Sequence, residues 1–197
     1  MFVPRSCSVR GCGRPALSGA DSCVVHHPSP VEHVRGLLLS ANGGLVLRDM
    51  DLAGARIEDV DLSGVQMHGC RLTAVTLARV KLAGAQIYLS FIDRATFQGC
   101  DATGATFQNT VFAGSELVDC NFVECEIVQS NFLGIHAVRT RFDHSNLYGS
   151  RFIGSLLEEV SMRDCSLTRT IFDAGHRTTV DFKSSNTNEA LFQEQAP

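Results

Sequence analysis

The sequence has no tryptophan and only two tyrosines in 197 residues; its aromatic content is carried almost wholly by twelve phenylalanines. No apolar run approaches the roughly 18–20 residues that a membrane-crossing helix needs, so no spanning helix is expected. The start, Met1 to Cys7, lacks the charged-then-apolar layout of an export leader, and the cytoplasm is the expected location. A disordered chain is excluded by composition, since 44% of the residues are hydrophobic. Charge is also sparse. The net charge is −4, with +2 carried by residues 1–44 and −6 by the remainder. A long acidic part argues against plain nucleic-acid binding through a basic surface. Neither a Ser-His-acid pattern nor a phosphate-binding loop occurs. His68, His136, His144 and His176 are isolated from one another, so no enzyme is expected.

What the chain does contain is a period of five. Steps of five from Leu47 give Leu52, Ile57, Leu62, Met67, Leu72 and so on to Phe172. Within that run only Ala102 and Ala137 are not large and apolar. Arg177 interrupts, and Phe182 and Phe192 resume the phase. Two residues before each large residue stands a small or β-branched one, as in Ala55, Val60, Val65 and Cys70. Two residues after it glycine recurs, as in Gly54, Gly64, Gly84 and Gly104. Glycine accepts positive φ and so marks a turn. Neither the helical period of 3.6 nor the strand period of 2 yields a strict five. A chain that turns a corner every five residues does, with the large residue and the small one before it facing inward.

Stretches such as Val60-Asp61-Leu62-Ser63-Gly64 and Cys120-Asn121-Phe122-Val123-Glu124 resemble the A(D/N)LXX motif of the pentapeptide-repeat family. The resemblance runs over about residues 45–185. It implies an all-β fold, a right-handed quadrilateral β-helix whose square coils hold four repeats each. Coils stacked at about 4.8 Å then give roughly seven coils and a rod on the order of 34 Å long. Folding the sequence by four repeats aligns Leu52, Leu72, Ile92, Phe112, Phe132, Phe152 and Phe172, which predicts phenylalanine rings stacked between coils. Ile135 beside Ala137 reads as a size swap that keeps the interior filled. Cys70, Cys100, Cys120, Cys125 and Cys165 all fall on the small inward position. They read as core thiols rather than redox or metal groups, and a reducing compartment suits them.

The other three of the eight cysteines lie near the start. Cys7, Cys12 and Cys23, with His26, form a C-x4-C-x10-C-x2-H pattern. Zinc takes four N or S ligands, usually as two close pairs brought together by a loop. Four ligands leave no open position, so one structural zinc per chain is expected, with His27 as the alternative fourth ligand. The segment resembles small terminal zinc modules of the form CSVxGCxRPAxxxGLCxxH. Such a module has almost no core, and metal would supply its folding free energy. The expected organisation is a zinc module over 1–28, a linker or cap with a short helix over 29–44, the β-helix over 45–185, and a C-terminal cap or tail over 186–197. A short capping helix is expected near Asn186 to Glu194, and Asn42, Gly43 and Gly44 should form the turn into the first coil.

The outward positions offer two surfaces. Phe91, Val111, Leu133, Ile153 and Ile171, with Leu191 beyond, form an exposed apolar stripe on one side. Such a stripe implies a protein partner or a homodimer, unless residues 31–44 fold back over it. The next side carries Glu58, Asp59, Glu116, Asp119, Glu158 and Glu159 against Arg56, Arg79 and Arg177. The expected function is a non-enzymatic, cytoplasmic binding scaffold for a protein partner. An alternative rests on the resemblance alone: some pentapeptide-repeat proteins that confer quinolone resistance mimic DNA and bind DNA gyrase, which would make a topoisomerase the partner. A third reading is nucleic-acid binding through a module made basic by Arg5, Arg10 and Arg14. A membrane partner is not expected, and nucleic acid is the weaker expectation.

Overall fold

The computed structural model describes residues 5–39, 46–173 and 176–193. The expected turn at Asn42, Gly43 and Gly44 and the side chains of His176 and Arg177 lie outside the described residues. Parallel pairing joins segments 20 residues apart in the chain, for example Val46 to Gln66 and Arg56 to Thr76. One coil therefore holds four repeats, one on each of four sides. The first side turns Leu47, Met67, Ile87, Phe107 and Ile127 inward, from a five-stranded sheet. The third side, beginning at Ile57, is a seven-stranded sheet that spans the rod. The second and fourth sides, beginning at Leu52 and Leu62, are joined by single parallel bridges such as Phe91 to Val111 and Asp101 to Asn121. From residue 147 the first two sides exchange character. The first continues through bridges at Asn146 and Ser166, while the second widens into strands Arg151–Ile153, Ile171–Asp173 and Leu191–Gln193.

The corner conformation is more general than the glycines indicate. Every described corner residue, two after an inward position, has positive φ, and seventeen of these, from Asp49 to Ser184, are not glycine, among them Leu89 at 50° and Arg139 at 47°. A left-handed L-residue costs roughly 1–2 kcal/mol. The ladder of hydrogen bonds on both sides of each corner offsets it. Asparagine or aspartate before the inward residue has a local cause. Asp61 accepts the Ser63 N–H at 3.0 Å and Asn131 accepts that of Leu133 at 2.9 Å, which closes an Asx turn at the start of the corner.

The small inward position does more than save space. Ser115 Oγ accepts the Ala95 N–H at 2.9 Å and donates to the Ile92 carbonyl at 2.8 Å. Ser145 and Ser150 reach back to the preceding coil in the same two ways. These hydroxyls satisfy buried backbone groups that the strand ladders leave unpaired. The later cysteines occupy the same slot and are all buried. Cys125 donates to the Ala102 carbonyl at 3.0 Å and Cys165 to that of Phe142 at 3.0 Å. Burial pushes the Cys125 thiol up to about 12 and that of Cys165 up to about 11, so both stay protonated and serve as donors.

The interior changes along the rod. Its early part is filled by Leu, Ile and Met. From Phe97 onward rings dominate, and Phe112, Phe132 and Phe152 stack at 4.7 and 4.6 Å, nearly parallel. Ile135 and Ala137 are both buried, as a size swap requires. At the N-terminal end the helix α1 (Pro30–Leu39) buries Val34 and Leu38 in one cluster with Leu17, Leu47 and Leu52. At the other end the expected capping helix is a single 3-10 turn, Thr187–Glu189, followed by strand Leu191–Gln193. Phe192 keeps the period of five and stacks on Phe172 at 5.0 Å. The repeat phase therefore prevails over helix formation there.

Candidate metal centre and outer faces

The N-terminal segment is a hairpin closed by a bridge between Ser6 and Pro15, with the Cys7 N–H bonded to the Arg14 carbonyl at 2.8 Å. Gly11 and Gly13, at φ of 81° and 62°, let the chain reverse between Ser6 and Pro15. A second turn brings back Cys23, whose carbonyl accepts the N–H of His26 at 3.0 Å. The result gathers Cys7, Cys12, Cys23 and His26, with ligand atoms all within 4.8 Å of one another. His26 Nδ1 lies 3.5 Å from both Cys7 Sγ and Cys23 Sγ, and Cys12 Sγ lies 3.7 Å from Cys23 Sγ. Tetrahedral zinc with ordinary bond lengths sets edges of about 3.6 Å for S to N and about 3.8 Å for S to S. Three of the donor separations match those edges, and the four donors together can hold a metal ion. His27 is turned away. Its Nδ1 accepts the Ser29 N–H at 3.1 Å and its ring lies 4.7 Å from that of His33.

Backbone amides face the sulfurs. The Val9 N–H holds the Cys7 thiol below its ordinary range, against the effect of burial. At Cys23 burial acts upward, but the amides of Val25 and His26 prevail and the thiol is lowered. At Cys12 the Arg14 amide favours the thiolate, yet burial and the neighbouring thiols of Cys23 and Cys7 hold the group above its usual value. Crowded thiolates repel, and a bound cation would remove that penalty.

This knuckle sits on the first coil. The Ser18 N–H donates to the Asp51 carbonyl at 3.1 Å, and Ser18 Oγ accepts the Asp51 N–H at 2.8 Å. Asp51 is itself buried and paired with Arg71 at 2.5 Å. Val24 lies so near Gly54 that a Cβ there would stand 3.1 Å from its methyl. His33 Nε2 donates to the Ser18 carbonyl at 2.8 Å, tying α1 to the knuckle.

Of the stripe, Phe91, Leu133 and Leu191 are 52%, 47% and 54% exposed, while Val111, Ile153 and Ile171 are half-buried. They do not form one row. Phe91 and Val111 share a row with Asn131, Arg151, Ile171 and Leu191, while Leu133 and Ile153 stand in the parallel row two residues along. The sequence spacing alone merges these rows, and the structure separates them by which side of the inward residue each occupies. The described part of residues 31–44 is α1, which covers the end of the rod and meets the strand Arg56–Glu58 of the third side.

The acids lie on that third side, largely paired. Asp59 accepts from Nε and Nη2 of Arg79 at 2.7 and 2.8 Å, and Asp119 from the same two nitrogens of Arg139 at 2.6 and 2.9 Å. Each arginine bond holds its carboxyl below the usual range. Glu58 pairs with Arg56, and Glu158 lies 3.4 Å from His136. Glu116 and Glu159 are exposed on the same side. Arg139, which the outward pattern of this side does not single out, stands one coil on from Asp119. His144 lies 3.9 Å from Asp164, and His68 stacks on Tyr88 at 4.9 Å. None of these histidines meets a nucleophile and an acid together among the described residues.

A rod whose four sides recur with every fourth repeat, with inward Leu or Phe and an Asx turn at its corners, defines a parallel quadrilateral β-helix. The model for pentapeptide repeats matches residues 44–78, 92–127 and 138–173 in eight copies, more than half of the chain. The chain belongs to the pentapeptide-repeat family, with the right-handed quadrilateral β-helix as its fold. No curated protein sequence matches it. Among solved structures, a trypsin-treated variant of QnrB1, a plasmid-mediated fluoroquinolone resistance protein, is 18% identical over 76% of this chain and 80% of its own, with a TM-score of 0.47. HetL, involved in heterocyst differentiation regulation in Nostoc sp. strain PCC 7120, is 12% identical over 81% and 94%, with a TM-score of 0.26. Rfr23 of Cyanothece 51142 is 12% identical over 82% and 97%, with a TM-score of 0.28.

Proposed function

We propose that the protein is a non-enzymatic binding scaffold that engages a protein partner along the second side of its rod. The carrying observation is the pair of apolar rows there, with Phe91 and Leu133 about half exposed. Water contact with such a surface is unfavourable by roughly 25 cal/mol per Å², which favours a partner that covers it. The cluster of Cys7, Cys12, Cys23 and His26 holds one structural zinc, because three thiols and an imidazole at tetrahedral spacing match the preference of that ion. Eight cysteines with no disulfide among them support a reducing compartment, the cytoplasm. Arginine pairing of Asp59 and Asp119 supports a protein-binding rod over a mimic of duplex DNA, which needs acids left unpaired. No helix among the described residues is long and apolar enough to cross a membrane.

The experiment is capture of partners by the intact protein from its native cell, identified by mass spectrometry. The same capture is run with a Leu133→Asp, Ile153→Asp variant. Specific partners lost by the variant support the reading. If gyrase is captured equally by both, the topoisomerase alternative gains and the stripe loses its role. If nothing specific is captured, the scaffold reading fails.

A further inference from the structure

Arginines along this rod are nearly always matched by an acid. Between Arg56 and Ile171, Arg56, Arg71, Arg79, Arg94, Arg139, Arg141 and Arg163 each sit in an ion pair. Arg151 and Arg169 do not, among the described residues. Both line one depression at the corner between the first and second sides, with Asn109, Gln129, Asn131 and Tyr148. Among the described residues that lining contains no acid. Arg169 is held in place: a guanidinium nitrogen donates to the Tyr148 hydroxyl at 3.0 Å, and the group lies 5.8 Å over the same ring. Stacking and a fixed hydrogen bond leave the other edge of its planar fork free, the arrangement that recognises a carboxylate bidentately.

The depression adjoins the apolar rows. Arg151 pairs across the sheet with Ile171, and Ile153 follows it on the same strand, Arg151–Ile153, facing the same way. Next to Ile153 stands Leu133, whose chain neighbour Gly134 donates its N–H to the Ile153 carbonyl at 2.8 Å. Unpaired positive charge and exposed apolar surface therefore form one continuous patch. Resting on the scaffold reading above, we propose that this patch docks an acidic segment of a partner protein. One Asp or Glu carboxylate of that segment lies between Arg151 and Arg169, and its neighbouring apolar side chains lie over Leu133, Ile153 and Ile171. Charge complementarity selects this occupant over a second copy of the chain, which presents the same positive patch to itself.

The test uses the full-length, metal-loaded protein and a random peptide library displayed on phage. Selected peptides should carry Asp or Glu beside apolar residues. A synthetic copy of the strongest, read by fluorescence polarisation, should lose at least about tenfold in affinity on an Arg151→Gln, Arg169→Gln variant. It should also lose affinity on Leu133→Asp, Ile153→Asp, and keep it on Arg163→Gln, with an unchanged melting temperature showing that each variant is folded. Peptides that ignore the arginines but need Leu133 and Ile153 would overturn the carboxylate site and leave the scaffold reading standing. Peptides that ignore both, or no selected peptide at all, would remove both. A dimer in light scattering that dissociates on Leu133→Asp, Ile153→Asp would assign the rows to a second copy and overturn the proposal.

Discussion

In the knuckle, four side chains from Cys7 to His26 converge on one point, and the segment through Cys23 buries few apolar residues, Cys7, Ala16, Leu17 and Cys23. In the coils no point is special: each inward residue packs only on its neighbours in its own coil and the coils beside it. If the cluster holds the proposed metal, cohesion in the first is concentrated at those four side chains, and in the second it is spread along the rod. One substitution should therefore abolish the first kind of order and only dent the second.

The largest expected effect follows directly. Cys7→Ser should reduce metal content from about one per chain to near none, read by elemental analysis. A structural zinc site is worth about 10–16 kcal/mol in small modules, so amide exchange over residues 5–28 should become fast. Exchange in the coils beyond Asp101 should not change. If those coils also lose protection, the contrast between the two regions is wrong. Next in size, Phe132→Ala removes a ring stacked on both sides, at 4.7 and 4.6 Å. It should cost about 3–5 kcal/mol in urea unfolding, with metal content unaltered.

A smaller effect is expected at Ser115. Removing its hydroxyl strands the Ala95 N–H and the Ile92 carbonyl, and Ser115→Ala should cost about 1–3 kcal/mol. Ser115→Cys should cost less, since Cys125 fills the same role elsewhere. An unchanged stability on Ser115→Ala would mean that the slot matters only for its volume. Smallest of all, Leu89→Gly relieves a left-handed leucine that is 62% exposed. Glycine's greater freedom in the unfolded chain costs about 0.5–1 kcal/mol, so a net gain of no more than about 1.5 kcal/mol is expected, read as a small rise in melting temperature.

The period, the inward pair and the gathering of Cys7, Cys12, Cys23 and His26 are legible because each depends on residue type at fixed spacing. Leu or Phe every five residues, and cysteines in close pairs, survive without any knowledge of the third dimension. The choice of His26 over His27 is not legible, because it turns on ring direction: His27 is committed to the Ser29 amide. The separation of the apolar stripe into two rows escapes for a related reason. Positions 131 and 133 are both outward, and only the path of the chain across the side distinguishes them. Pairs such as Asp59 with Arg79 and Asp119 with Arg139 carry a signal at a separation of one coil, visible once the coil length is accepted. The pairing of Arg169 with Tyr148 oversteps that separation by a single position and escapes a search along columns.

The hydroxyls that reach back to the preceding coil have a consequence for how such a chain can change its length. Every coil is hydrogen-bonded to the one before it by side chains as well as backbone, so an insertion or deletion is tolerated only as a whole turn. Excising residues 101–120 leaves every remaining column in phase, joins Cys100 to Asn121, and brings the corner at Arg151 and Arg169 nearer to the knuckle by one step of about 4.8 Å. Removing a single repeat instead rotates everything beyond it by one side. The molecule is in this sense a graduated rule, on which the distance between its two ends is adjustable by duplication or loss of whole marks and by nothing finer.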